Sequence, residues 1–231
     1  MRAIAFLTTL LVALPAGAQT AAGTLWIELT QNVRKALPGL HQEFDVSETE
    51  QKPECSQSSK WQIVLDMFHE QFRERSVRVS GSIVDIFDGR DAFRMAEGSR
   101  IERQKQGGKH FPPTPSPYNF FNVAVWDAVE LERRPCGVPG IDHSCVVLQA
   151  SYHFVNGPRE DPEVESWVPK GTERIVVDTV TGAIVRRSSH EWNDAPKYKF
   201  QHDYDYVLTR VSYGAPADAS IFKLTPGARV K

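Results

Sequence analysis

The chain has 231 residues, 41% of them hydrophobic and 24% charged, with 27 Lys and Arg against 29 Asp and Glu. The resulting net charge of -2 gives no general attraction to a phosphate backbone, so we expect no nucleic-acid partner. The length fits one domain of the all-β or α+β class.

The first eighteen residues have the three parts of a secretory signal peptide. Arg2 supplies the positive charge, residues 4–14 form an apolar stretch, and residues 16–18 are small residues suited to cleavage. The apolar stretch is shorter than the ~20 residues of a membrane helix, and no later stretch reaches that length. We therefore expect residues 1–18 to be removed, no transmembrane segment after cleavage, and a periplasmic or secreted location.

The next segments change from a helical to a strand-like period. Trp26 and Leu29 lie at helical spacing within residues 22–37, which predicts one amphipathic helix. Between residues 61 and 68 the apolar side chains at odd positions alternate with Gln62, Val64, Asp66 and Phe68, which is typical of a half-buried strand. The pair Asp88-Gly89 then predicts a hairpin turn.

Residues 98–118 are first polar and then rich in proline, which disfavours both helix and central strand. We expect a loop or an extended strap there. Two interpretations stay open, a disordered surface segment and a mobile flap over a binding cleft. Residues 119–128 are compatible with a short helix.

Two cysteines bracket a turn-rich stretch between strand-like segments of the second half. Because disulfides are common in exported proteins, we expect Cys136 and Cys145 to be paired and Cys55 to be a free thiol. The strand that follows Cys145 has alternating apolar residues as far as residue 154, and the segment 197–213 is the longest predicted strand. In total the pattern predicts nine or ten mainly antiparallel strands with one or two helices, an α+β fold.

The closing segment resembles a known family. A strand at residues 175–178 with a Thr181-Gly182 turn, then residues 206–208, then the motif Asp-Ala-Ser-Ile-Phe-Lys-Leu-Thr-Pro-Gly at 218–227 is similar to the C-terminal part of LolA-like lipoprotein-sorting proteins. The resemblance implies a single domain over residues 19–231, built as a curved half-barrel whose concave apolar face is covered by helices. In the carrier members of that family this face holds lipoprotein acyl chains.

The side chains that would line such a concave face are chosen only from the alternation of apolar and polar residues along the strands and from the apolar stripe of the helix. The candidate walls of an apolar cavity are Trp26, Leu29, Trp61, Ile63, Leu65, Met67, Leu148, Tyr152, Phe154, Phe200, Tyr204 and Tyr206. Removing an acyl chain from water contributes about 0.8 kcal/mol per buried CH2, so such a site needs few directed polar contacts. The same pattern also fits an ordinary packed core without a ligand.

Residues able to do chemistry do not form a diagnostic motif. His190, Glu191, Asp194, His202, Asp203 and Asp205 could lie on neighbouring strands, and Glu130 and Glu132 share one strand. Their spacing is better explained by solvated strand faces, and His202 and Asp203 should point to opposite sides. Nucleophile elbows, phosphate-binding glycine loops and Cys-x-x-Cys pairs are absent from the sequence. We therefore predict no catalytic residues, no metal site, no cofactor and no enzyme activity.

Three functions remain as hypotheses, in order of preference. The first is an exported protein that binds a lipid, a lipoprotein acyl chain or another apolar molecule in its concave sheet. The second is an envelope protein-protein interaction or assembly module with a packed core. The third is a hydrolase or metal-dependent enzyme built on the His and Asp residues between 190 and 205.

Overall fold

A computed structural model describes residues 20–36, 39–96, 101–104, 115–118, 128–153, 170–193, 199–216 and 218–224. Within these residues the chain forms one α-helix, eleven strands and two short 3-10 helices, at Ser116–Tyr118 and Ala219–Phe222. The helix and the strands are α1 Ala21–Ala36, β1 Leu40–Lys52, β2 Cys55–Phe68, β3 Gln71–Arg78, β4 Gly81–Phe87, β5 Ala92–Ala96, β6 Glu102–Arg103, β7 Val129–Pro135, β8 Ser144–His153, β9 Lys170–Asp178, β10 Ile184–Asn193 and β11 Phe200–Tyr213.

All eleven strands belong to one antiparallel sheet, in the order β6-β5-β4-β3-β2-β1-β11-β10-β9-β8-β7. The sheet therefore consists of two meanders that join where the first strand pairs with the last. It is curved and unclosed, which confirms the predicted half-barrel of the α+β class. The sheet has eleven strands, where about nine or ten were predicted. One short strand, β6, lies in the segment that was expected to be a loop.

One face of the sheet, called here the core face, carries the apolar side chains of the alternating pattern. In β1 these are Leu40, Phe44 and Val46, and the register places Phe44 opposite Ile63 of β2. Helix α1 covers this face: Trp26 is 1% exposed and belongs to the same apolar cluster. The opposite face is called the outer face.

The helix begins at Ala21 because Thr20 caps it. The Thr20 Oγ1 accepts a hydrogen bond from the Gly23 N–H at 3.0 Å, which satisfies one of the free amides of the first turn. The same hydroxyl donates to the Ala128 carbonyl oxygen at 2.7 Å and ties the helix start to the beginning of β7. Among the described residues, no helix is long and apolar enough to cross a membrane.

The junction of the two meanders depends on a close backbone approach. The Gly214 N–H donates to the Gly39 carbonyl oxygen at 3.0 Å. A Cβ placed on Gly39 would lie 2.0 Å from the Gly214 carbonyl oxygen, so only glycine fits here. Further along the pair, a bulge between Glu43 and Phe44 shifts the register of β1 against β11.

The predicted disulfide is confirmed. Cys136 and Cys145 are bonded, with an S–S distance of 2.07 Å, and close the hairpin of β7 and β8. Cys55 is free and exposed. The predicted turn at Asp88-Gly89 also lies where expected, between β4 and β5.

Several predictions fall outside the described residues. These are the signal peptide at 1–18, most of the strap at 98–118, the helix at 119–128 except Ala128, the residues Phe154 and Asp194, and the side chain of Tyr152.

Candidate functional site

The structure brings most of the predicted wall residues onto the core face. Six of them are at most 8% exposed and share one apolar cluster: Trp26, Trp61, Ile63, Leu65, Met67 and Leu148. Leu29, Tyr204 and Tyr206 are half-buried and pack against that cluster. Phe200 is half-buried at the start of β11, and Tyr152 lies in β8 opposite Gly171. That these residues bind a ligand remains a prediction.

An aromatic row runs along β11 on the core face. The rings of His202 and Tyr204 are 4.0 Å apart, and those of Tyr204 and Tyr206 are 6.5 Å apart. All three side chains are half-buried, unlike the sealed apolar residues of β2. The row is therefore the less completely buried part of the core face.

One carboxylate fixes the polar end of this row. The Glu48 Oε1 lies 2.8 Å from the His202 Nε2, and the Glu48 Oε2 accepts a hydrogen bond from the Ser59 hydroxyl at 3.0 Å. Burial acts to raise the pKa of Glu48, but these two hydrogen bonds, together with the charge of His202 and a hydrogen bond with Tyr204, outweigh it and lower the pKa. The anionic form is thus favoured beside the aromatic row, where burial raises the pKa of the Tyr204 hydroxyl.

Buried polar side chains form a hydrogen-bond network on the core face that was not predicted from the sequence. The Tyr118 hydroxyl donates to the Gln42 Oε1 at 2.6 Å and accepts from the Ile184 N–H at 3.1 Å. The Gln42 Nε2 donates to the Ile184 carbonyl oxygen at 3.0 Å. These bonds satisfy an otherwise costly group, since Gln42 is fully buried.

Two buried carboxylates hold the segment Ser116–Tyr118 against the sheet. Glu74 of β3 accepts the Ser116 N–H at 2.6 Å and the Ser116 hydroxyl at 2.5 Å. On the other meander, Arg187 forms an ion pair with Glu173 and donates to the Ser116 carbonyl oxygen at 2.8 Å. Burial raises the pKa of Glu74, and it also raises the pKa of Glu173 although Arg187 opposes this.

The alternation of inward and outward residues in β1 and β3 contains a signal for this network of buried polar side chains. Gln42 and Glu74 occupy positions at which β1 and β3 point inward, next to Phe44 and Phe72. A polar residue at an inward position must find a partner inside the protein. The partners, Ser116 and Tyr118, come from the end of the proline-rich strap, about 40 residues or more away along the chain.

The residues considered for chemistry are divided between the two faces. His190 and Asp203 pair on the outer face, with 2.7 Å between Nδ1 and Oδ1, whereas His202 pairs with Glu48 on the core face. Among the described residues there is no group of three or more His, Cys, Asp or Glu that could hold a metal ion. Glu130 binds Arg133 on the exposed strand β7, as expected of a surface charge.

No family model matches the sequence, and no curated protein matches it. Similar solved structures do exist. A LolA-superfamily protein from Nitrosomonas europaea is 11% identical, with 89% of this chain and 99% of that chain covered and a TM-score of 0.37. A putative outer membrane lipoprotein-sorting protein domain from Vibrio parahaemolyticus is 7% identical, with 85% and 94% covered and a TM-score of 0.33.

The MucA/MucB complex of Pseudomonas aeruginosa is also similar, with 15% identity, 92% of this chain and 64% of that chain covered, and a TM-score of 0.39. At such values the similarity concerns the general plan of the sheet and carries no argument about ligands. The solved structures similar to this chain include proteins of the LolA superfamily, the group that its closing segment resembles.

Proposed function

We propose that this protein is an exported envelope protein that binds a lipid, a lipoprotein acyl chain or another apolar molecule on its core face, between α1 and the aromatic row of β11. The observation that carries the proposal is that Tyr204 and Tyr206 are half-buried on a face where the wall residues of β2 are at most 8% exposed. An apolar ligand bound along this row would bury the part of the Tyr204 and Tyr206 side chains that is exposed in the protein alone.

The surroundings of the row suit an acyl chain with a polar end. On the β1 side of Tyr206 the floor is apolar, with Val46 opposite Tyr206 and Trp61 of β2 beyond it, whereas on the β10 side the Arg187 guanidinium lies 5.6 Å from the centre of the Tyr206 ring. The far end carries Glu48 and His202, which can hydrogen-bond a headgroup or linker. Because each buried CH2 contributes about 0.8 kcal/mol, affinity would come mainly from the chain and orientation from the polar end.

A titration with a fluorescent long-chain fatty acid tests the proposal. Tyr204→Asp places a charge on the open part of the core face, where desolvating it opposes the entry of an apolar chain. We expect the affinity to fall by about tenfold or more, equivalent to about 1.4 kcal/mol. The matched control is Val207→Asp, on the same strand but on the outer face and 38% exposed.

The two variants separate the possible results. Loss of binding in Tyr204→Asp with a native circular-dichroism spectrum, and unchanged binding in Val207→Asp, would support the proposal. Equal binding by both variants would place any ligand elsewhere and contradict it. Should Tyr204→Asp fail to fold, Tyr204→Gln provides the same comparison without a buried charge.

A further inference from the structure

A polar groove crosses the outer face of the sheet, on the side away from α1. Its volume is about 420 Å3, and five strands supply its floor: β1, β8, β9, β10 and β11. Small-molecule sites usually have volumes of roughly 300–1,000 Å3. The groove is therefore large enough for a ligand of its own, independent of the core face.

The strand register arranges the floor of this groove in two rows. The first row runs across the five strands through Gln149, Arg174, Ser188, Asp205 and Ser47. The second row runs beside it through Thr172, His190, Asp203 and Thr49. Every side chain in both rows is polar, which favours a ligand rich in hydrogen-bonding groups.

The charges in and beside the groove cancel. Arg186 binds Asp205 through two hydrogen bonds, at 2.9 Å from Nε and 2.8 Å from Nη2. At the margin, Glu132 lies 3.8 Å from Arg174 and 3.5 Å from Arg134. Within the groove itself, the carboxylates of Asp203 and Asp205 face the guanidinium groups of Arg174 and Arg186, while the Glu173 carboxylate is turned to the core face and pairs with Arg187.

The equal numbers of positive and negative groups indicate the charge of the ligand. An anion site would present an excess of arginine, and a cation site an excess of carboxylate. The groove therefore matches a neutral ligand. It still offers planar groups that can bind two neighbouring hydroxyl groups at once, because a carboxylate keeps several acceptor positions and a guanidinium several donors.

Short hydroxyl side chains lie between these charged pairs. Within the part of the chain that the structure describes, the hydroxyl groups of Ser47, Thr172 and Ser188 have no hydrogen-bond partner. Each can both donate to and accept from a ligand hydroxyl. Beside the groove, the ring of Trp192 stacks on His190 at 5.2 Å and gives a flat apolar surface next to the polar floor.

We propose that the outer groove is a binding site for a neutral saccharide. Sugars combine neighbouring hydroxyl groups with a C–H face, which is the combination that paired charged side chains, free hydroxyl groups and an adjacent aromatic ring recognise. The site lies on the opposite face of the sheet from the proposed acyl-chain site, so either proposal can fail while the other stands.

A panel of immobilised neutral oligosaccharides, with sialylated and glucuronate-containing glycans for comparison, tests the site on the full mature protein. Calorimetry with the best neutral glycan then gives an affinity. In Ser188→Tyr the bulky ring fills the floor at the centre of the first row, and we expect the affinity to fall by about tenfold or more. Ser212→Tyr is the matched control, on an exposed position of β11 outside the groove.

Binding of neutral glycans that is lost in Ser188→Tyr and kept in Ser212→Tyr would support the site, and fatty-acid binding should be the same in both variants. No binding to any neutral glycan would overturn it. Binding only to acidic glycans, displaced by inorganic phosphate, would also overturn it and would assign the arginines to an anion site. Glycan binding that survives in Ser188→Tyr would show that the groove is not the site.

Discussion

Single residues on the core face hold the two halves of the sheet and the end of the proline-rich strap together. Glu74 belongs to the first meander and Arg187 to the second, and both bind Ser116. The strap end thus bridges β3 and β10 although these strands are not neighbours in the sheet. Removing either side chain should loosen the strap end as well as cost stability.

The buried ion pair of Arg187 and Glu173 leads to the first prediction. Arg187→Met leaves the Glu173 carboxylate, 1% exposed, without its counter-charge, so we expect a loss of about 3–5 kcal/mol in the free energy of unfolding. Arg187→Met combined with Glu173→Leu removes both charges and should be clearly more stable than the single variant. Urea unfolding measures both; a single variant as stable as wild type would contradict the prediction.

The second prediction concerns pH. Because burial raises the pKa of Glu74 above its ordinary value of 4.5, the folded protein keeps this proton over a pH range in which the unfolded chain has released it. Folding stability therefore falls as the pH rises above about 4.5 and through the folded-state pKa. Glu74→Gln has no proton to lose, so its stability relative to wild type should increase over that range.

Urea midpoints of wild type and Glu74→Gln between about pH 4.5 and pH 7.5 measure this difference. The control is Glu132→Gln, whose side chain is 46% exposed and which should show no such trend. A stability difference for Glu74→Gln that does not change with pH would show that burial does not raise the pKa of Glu74.

At the scale of the elements, the alternating pattern predicted β2, the hairpin of β7 and β8, and the long strand β11, because one buried face leaves a clear period of two. The helix and the disulfide followed from equally local signals, the spacing of Trp26 and Leu29 and the turn-rich stretch between Cys136 and Cys145. The pairing of β1 with β11 was not predictable in this way, because it joins residues about 160 positions apart. Nor did spacing reveal that Ser116 and Tyr118 are the partners of Glu74 and Gln42.

The closing 3-10 helix shows what the family-like motif does physically. Asp218 caps it by accepting the Ser220 N–H at 2.8 Å, and this cap turns the chain so that Phe222 becomes fully buried. The Phe222 ring then stacks on Phe68 at the end of β2, with 6.4 Å between centroids. The resemblance noted in the sequence thus corresponds to a local structure with its own packing.

The junction of β1 and β11 leads to the third prediction. In Gly39→Ala the new Cβ would lie 2.0 Å from the carbonyl oxygen of Gly214, and backbone must move to make room. We expect the free energy of unfolding to fall by about 1–3 kcal/mol or more. Ser58→Ala, at an exposed position of β2, is the control, and a Gly39→Ala protein as stable as this control would contradict the close approach.

At the scale of the whole molecule, the fold separates two surfaces of different chemistry. The core face carries most of the buried apolar side chains, is covered by α1 and is less completely buried along Tyr204 and Tyr206, whereas the outer face carries a polar groove. A strand places neighbouring side chains on opposite faces, so β11 contributes to both surfaces. We propose the core face as the site for an apolar molecule and the outer groove as the site for a polar one.

We have proposed that the core face holds an apolar molecule. Native mass spectrometry of the protein purified from its native source can detect such a molecule without any prior choice of ligand. We predict a species heavier than the mature chain that releases a lipid or acyl chain on unfolding, and that takes up an added fatty acid after lipid extraction. A spectrum showing only the bare chain, with no uptake of the added fatty acid by the folded protein, would contradict the account.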